Sequence, residues 1–224
     1  MPVLKNYNQN FFKVWSHEMA YVLGFIFADG NVVKTKRGTH FIAIYSADFD
    51  LLESIRLAFL SEHIIQKRNV RSGEVFRIQI GSKEWFSDLQ KLGVTPGKTK
   101  RMKIPDIPKA YVGDFVRGYF DGDGNVWSGE IHKNRKSQSR TLQVAFTSGS
   151  NAFLRELHLL LLASGVEGGS LYQNSERHFS RLSFSLKSAL TIYKIMYNGA
   201  HKLYLPRKKQ VFQQFVNCGG SSTG

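Results

Sequence analysis

The sequence predicts an α+β protein built as two pseudo-symmetric halves, each running helix, two strands, helix, two strands, helix. Three observations lead there. Residues 21–32 (Tyr-Val-Leu-Gly-Phe-Ile-Phe-Ala-Asp-Gly-Asn-Val) and 115–126 (Phe-Val-Arg-Gly-Tyr-Phe-Asp-Gly-Asp-Gly-Asn-Val) repeat one another at an offset of 94, sharing Val22/Val116, Gly24/Gly118, Asp29/Asp123, Gly30/Gly124, Asn31/Asn125 and Val32/Val126. Each repeat is followed by segments whose apolar residues alternate with polar ones, the period of a half-buried strand. The chain has 224 residues, 42% of them hydrophobic, enough for two fused halves each with a core of its own.

The elements follow in order. After the first repeat, Phe41–Ser46 reads as a strand and Asp48–Leu60 as an amphipathic helix; after the second, Leu142–Ser148 and Asn151–Ala163 read the same way. Phe76–Ile80 and Leu182–Leu186 are the next matched strands, leading into helices near Lys83–Leu92 and Lys187–Tyr197. Runs of antiparallel strands with helices on one face make an α+β class. Pro96, Gly97, Pro105 and Pro108 mark a connector over residues 95–108, between an N-terminal half (12–94) and a C-terminal half (109–216). Residues 217–224, ending Gly-Gly-Ser-Ser-Thr-Gly, read as a flexible tail.

Alternation also sorts side chains by face. Ile78, Ile80, Leu182, Phe184 and Leu186 are expected to face the helices, and Arg77, Gln79, Arg181, Ser183, Ser185, Gln143, Ala145 and Thr147 to face outward. An outward face of Arg, Gln, Ser and Thr has the donors and acceptors to read base edges.

Within each repeated helix the small residues stand four apart, Gly24 and Ala28 in one, Gly118 and Gly122 in the other, so each pair lies on one helix face. Glycine inside a helix costs roughly 0.5–1 kcal/mol relative to alanine, and close helix–helix contact is the natural offset. If the two helices pair in parallel, Asp29 and Asp123 meet at their C-terminal ends, where the helix dipole is already negative. A hard divalent cation such as Mg²⁺ relieves such an anionic spot. Gly30 and Gly124 are expected in the left-handed conformation that ends many helices.

The chain carries 31 Lys and Arg against 17 Asp and Glu, a formal charge of +14, which points to a polyanionic partner. No apolar run approaches the roughly 18 residues needed to span a bilayer, and no basic amphipathic helix or lipid anchor suggests a membrane surface. The opening Met1-Pro2-Val3-Leu4-Lys5-Asn6 has no signal-peptide core, and the single cysteine, Cys218, leaves no disulfide framework. Both fit an intracellular, reducing compartment, organellar or bacterial or archaeal cytoplasm alike.

Val22–Gly30 and Val116–Gly124 resemble the paired motifs of the LAGLIDADG homing endonucleases. Leu92–Lys98 with Ile104–Pro108 resembles that family's passage between halves, and Leu203-Tyr204-Leu205-Pro206-Arg207-Lys208-Lys209 its basic C-terminal stretch. The resemblance, over roughly residues 12–216, implies a monomeric DNA endonuclease whose two sheets form a saddle over the major groove. It implies double-strand cleavage at a long asymmetric target, with divalent metal held by Asp29 and Asp123 and with Ala28 and Gly122 in the same metal site. Mg²⁺ is the expected ion, Mn²⁺ is expected to substitute, and Ca²⁺ to support binding without cleavage. Cleavage by two-metal logic clamps the attacking water and the leaving oxygen. At motif position six Phe27 stands where the family carries an acid. Asp121 therefore has no counterpart in the first half, and the metal assignment rests on Asp29 and Asp123.

The family supplies a basic residue near the end of each half. The offset that aligns Arg77-Ile78-Gln79-Ile80 with Arg181-Leu182-Ser183-Phe184 pairs Lys98 with Lys202, the expected catalytic pair, with Lys100, Lys103 and Arg207 as rivals. The DNA-binding set comprises Lys34, Lys36, Arg37, Arg68, Arg71, Arg77 and Gln79 in the first half, and Lys133, Arg135, Lys136, Arg140, Gln143, Arg177, Arg181 and Ser183 in the second. Trp127, just beyond the second motif, has two readings, packing the sheet or touching DNA, and packing is the one expected. Two alternatives use the same fold: an RNA maturase or non-cleaving DNA-binding protein, and an intein-derived homing domain. Retention of both aspartates favours cleavage, and Met1-Pro2 offers no splicing nucleophile.

Overall fold

The computed structural model describes residues 5–70, 73–97, 102–131, 139–174, 176, 179–199 and 202–219. Helix α1 (His17–Asp29) leads into β1 (Gly30–Lys34), β2 (His40–Ser46), α2 (Phe49–Ala58), β3 (Gln66–Val70), β4 (Gly73–Gly81) and α3 (Lys83–Lys91). After a 3-10 turn at Lys109–Tyr111, the order repeats: α4 (Val112–Asp123), β5 (Gly124–Ile131), β6 (Ser139–Ser148), α5 (Asn151–Ala163), β7 (Ser170–Asn174), β8 (Phe179–Ser185) and α6 (Leu186–Tyr197). A final helix, α7 (Pro206–Gly219), has no counterpart in the sequence reading and runs into the segment read as a tail.

Helix starts are set locally by serine caps. The hydroxyls of Ser16, Ser82 and Ser150 accept from the backbone N–H of Met19, Trp85 and Phe153. Each half forms a four-stranded antiparallel sheet, in order β1-β2-β4-β3 and β5-β6-β8-β7. The register is the same in both: Ala43 pairs with Gln79 as Ala145 pairs with Ser183, and Val33 pairs with Phe41 as Trp127 pairs with Gln143. Ile42, Ile44, Ile78 and Ile80, and Leu142, Val144, Phe146, Leu182 and Phe184, are buried toward the helices. Leu186 departs from the expected strand: it opens α6 and stands exposed.

Between the sheets, α1 and α4 are buried almost all round, Met19 to Phe27 in one and Phe115 to Asp121 in the other. The glycines explain how they meet. A Cβ at Gly24 would overlap the Phe115 carbonyl oxygen, and one at Gly118 the Tyr21 carbonyl oxygen. One at Gly122 would overlap the Ala28 side chain. The contacts advance together toward both C-termini, so the helices pair in parallel, backbone against backbone.

Gly30 and Gly124 are not left-handed. Both are extended, at φ −93° with ψ 156° and 159°, and the chain passes straight from helix into β1 and β5. Glycine is needed there for space: a Cβ would strike Ile26 in one half and the Phe120 ring in the other.

Candidate active site at the paired helix ends

Parallel pairing brings the two repeats' last residues together. Asp29 Oδ2 lies 3.1 Å from where a Cβ on Gly122 would stand, beside Asp123. Asp29 is exposed and Asp123 half-buried. Both carboxylates act on the same two neighbours. They push the buried Tyr119 hydroxyl further above its ordinary pKa, after burial and with Asp123 the stronger, and they hold up the ammonium of Lys208. Tyr119 donates to the Thr147 carbonyl at 2.6 Å, and the Thr147 hydroxyl donates to the Asp123 carbonyl at 2.9 Å, tying the helix end to β6.

Asp121 plays a different part from its neighbour two residues on. It is 2% exposed and faces the core, where its Oδ2 accepts from the Tyr21 hydroxyl and from the Leu205 N–H, both at 2.8 Å. Burial raises its pKa to about 6 against the opposing pull of those bonds and of Lys208 and Arg117. Asp121 is thus engaged in the core, whereas Asp123 stands half-buried at the helix end.

Lys208 was not singled out by sequence reasoning. Its Nζ donates to the carbonyls of Phe120 at 2.7 Å and Asp121 at 2.8 Å, in the last turn of α4, and of Gly124 at 2.6 Å, where β5 begins. Burial lowers its pKa to about 8. A usable signal lay in α7: Lys208 stands four residues before Phe212, which is fully buried, so the two share the buried helix face.

Of the expected basic pair, Lys202 is the described member, and it is placed otherwise. Lys202 lines a cleft with Ser16, Glu18, Phe11 and Leu57, at the N-terminal end of α1. A rise of 1.5 Å per residue from Glu18 to Asp29 puts that end about 16 Å from the carboxylates. The reason is the path of the chain: Arg117 holds the Met196 and Leu203 carbonyls low on α4, and only from Leu205 to Lys208 does the segment climb to the helix end. Arg207 pairs with Asp48 at 3.1 Å, and Lys103 is exposed. Lys98 and Lys100 lie outside the described residues, as do Arg71, Lys133, Arg135, Lys136 and Arg177.

The outward faces carry most of the remaining set. Arg77 and Gln79 on β4, Arg68 on β3, Gln143 on β6, and Arg181 and Ser183 on β8 share the side opposite the helices. Arg77 donates to Gln66 at 2.5 Å and Arg181 to the Ser183 hydroxyl at 3.2 Å, which orders both guanidinium groups. Lys36 and Arg37 are exposed at the β1–β2 hairpin tip. Lys34, at the end of β1, has the parity of buried Val32 and so belongs to the helix side. Arg140, of the DNA-binding set, also lies on the helix side: it has the parity of Leu142 and Val144, and its guanidinium lies 5.1 Å from the centre of the Phe215 ring on α7. Trp127 moves the other way. It pairs with Gln143 on the outward face and is 46% exposed.

Among the described residues, no group of three or more His, Cys, Asp or Glu could hold a metal, and no helix is long and apolar enough to cross a membrane. The hard oxygen donors at the helix ends are two carboxylates and nearby carbonyls. This donor set suits an ion of the Mg²⁺ type, which keeps water ligands and takes one or two carboxylates from the protein.

Solved structures with the same architecture include a meganuclease and a homing endonuclease, each bound to DNA. The meganuclease I-SmaMI bound to uncleaveable DNA superposes with a TM-score of 0.61 at 16% identity, over 88% of this chain and 87% of that one. I-WcaI bound to its DNA recognition sequence gives 0.59 at 17% identity, over 90% of each chain. Identities this low establish the fold. In sequence, 73 residues are 37% identical to a probable translation initiation factor IF-2 of Thermococcus kodakarensis, covering 31% of this chain and 5% of that protein. A further 121-residue match, at 25% identity, links 52% of the chain to 42% of an uncharacterized protein of Methanocaldococcus jannaschii. The chain thus spans less than half the length of either curated relative. A model of the LAGLIDADG-like domain matches residues 16–94 and again 110–195, more than half of the sequence, and the chain belongs to that family.

Proposed function

We propose that this protein is a divalent-metal-dependent, site-specific endonuclease of double-stranded DNA that acts as a monomer. The observation that carries the reading is the parallel pairing of α1 and α4, which sets Asp29 beside Asp123 between two sheets whose outward faces bear Arg, Gln and Ser. A metal with both carboxylates as ligands, Mg²⁺ first and Mn²⁺ in its place, would supply an activated water and stabilise the leaving oxygen.

The chain's own residues do the rest. Arg68, Arg77 and Arg181 contact phosphates and bases, giving binding that weakens steeply with salt. Ordered donors such as Gln79, Gln143 and Ser183 read base edges. Lys208 holds the last carbonyls of α4, so that Asp123 projects from a fixed helix end, and keeps positive charge near the developing charge on the phosphate. Because one chain carries both carboxylates and both sheets, its target is long and asymmetric.

Selection of cleaved sites from a randomised duplex library tests the reading. Enrichment of one site with Mg²⁺, and of the same site by binding alone with Ca²⁺, is the expected result. Absence of enrichment with either ion would overturn it.

A further inference from the structure

Trp127 is out of keeping with its surroundings. Its neighbours on the outward face of the second sheet are small or polar, with Gln143 directly across, Ser185 beyond it, and Ala145 and Ser183 one pair along. Two residues along β5, on the same face, stands Gly129. A Cβ there would overlap the six-membered ring of the Trp127 indole. The indole therefore lies along the strand over a position that only glycine leaves open, with 46% of the residue still exposed. A glycine inside a strand weakens it and often marks a close approach. Here it gives the indole a seat on the face that would meet DNA.

The first half fills the same place differently. Val33 and Phe41 occupy the positions of Trp127 and Gln143, pair with each other and are each half-buried. Both halves thus put an apolar surface here, but only the second raises a large one into solvent.

The major groove presents one apolar group to such a surface, the C5-methyl of thymine. Trp127 is four residues beyond Asp123 along the chain, at most about 13 Å of strand. At 3.4 Å of rise per base pair, this falls within roughly four base pairs of the cut.

We propose that Trp127 is a specificity-determining residue that reads thymine methyl groups in the half-site facing the second sheet, close to the cleavage centre. The inference rests on the endonuclease reading above.

The test compares the full-length protein with W127A and G129V, the latter displacing the indole while keeping it in the chain. Sites are selected from a randomised duplex library. Binding with Ca²⁺ is then measured on the selected site with deoxyuridine replacing each thymidine in turn. Wild type should enrich thymine at one or two inner positions of one half-site, and each lost methyl there should weaken binding roughly four-fold. W127A and G129V should melt like wild type, lose the enrichment at those positions and become indifferent to deoxyuridine. Unchanged deoxyuridine sensitivity in W127A, or a selected site with no thymine dependence in that half, would overturn the inference and leave the endonuclease reading intact. Failure of wild type to select any site would overturn that reading and this inference together.

Discussion

The two central helices carry the same face in different chemistry. On α1 it is Leu23 and Phe27; at the matching positions of α4 it is Arg117 and Asp121. Phe27 packs edge-on against Phe115, at 5.5 Å between ring centres, and stacks on Phe153 at 5.6 Å. Arg117, 1% exposed, instead donates to the carbonyls of Leu203 at 2.9 Å and Met196 at 2.5 Å, and pairs with Asp114 at 2.6 Å. Asp121 takes the Leu205 N–H, and Lys208 completes the series at the helix end. The first half anchors by aromatic packing. The second anchors the chain at the end of α6 and around the start of α7, whose backbone groups need partners once buried. Symmetry is kept where the glycines let the helices touch and where the carboxylates meet, and it is given up where each half must dock a different piece of chain.

The shared part can be broken hardest. Gly118→Val would drive a branched side chain into the Tyr21 carbonyl. It should cost about 3 kcal/mol or more, and most of the folded protein, read as soluble yield and melting temperature. A well-folded Gly118→Val would contradict backbone contact between the helices.

The unshared part breaks less severely. Lys208→Met removes the ammonium that three carbonyls at the junction of α4 and β5 share and should cost roughly 2–4 kcal/mol. It should slow cleavage while Ca²⁺-supported DNA binding persists. Lys202→Met, a helix length away, should change cleavage little. Equal losses in the two variants would restore the sequence-based pairing of Lys98 with Lys202.

Asp121 gives the finest distinction between the halves. Its folded pKa of about 6 lies above the ordinary 3.8, so between those values the native state binds more protons than the unfolded one. The stability this group adds is fully present below about pH 4 and is lost as pH rises through 6, up to about 3 kcal/mol. Denaturant melts without divalent metal should show that decline in wild type, and Asp121→Asn should remove it. A decline of equal size in the variant would assign it to other groups.

The sequence revealed what depends on periodicity and repetition. Helix α5 falls on Asn151–Ala163 as read, and alternation put Arg77, Gln79, Arg181 and Ser183 on one face because a strand's side chains have a strict period of two. The paired glycines announced the helix interface, since little else justifies glycine there. Lys208 escaped because offset alignment assumes equal paths, whereas the segment after α6 crosses α4 before climbing it. Arg140 sits two residues before Leu142, so strand parity assigns it to the helix side, and there α7, an element outside the repeat, covers it. Gly30 and Gly124 were rightly noticed for the wrong property, since crowding by the helix's own last turn imitates, in sequence, a need for left-handed backbone.

The central claim is that Asp29 and Asp123 form one cleavage centre. It is tested most directly by single-turnover cleavage of a selected duplex with Mg²⁺, using Asp29→Asn, Asp123→Asn and the double variant at concentrations that saturate binding. Each single variant should lose double-strand cleavage by about a hundredfold or more while binding DNA with Ca²⁺ as wild type does. A double variant that cuts the same site at the wild-type rate would contradict the account.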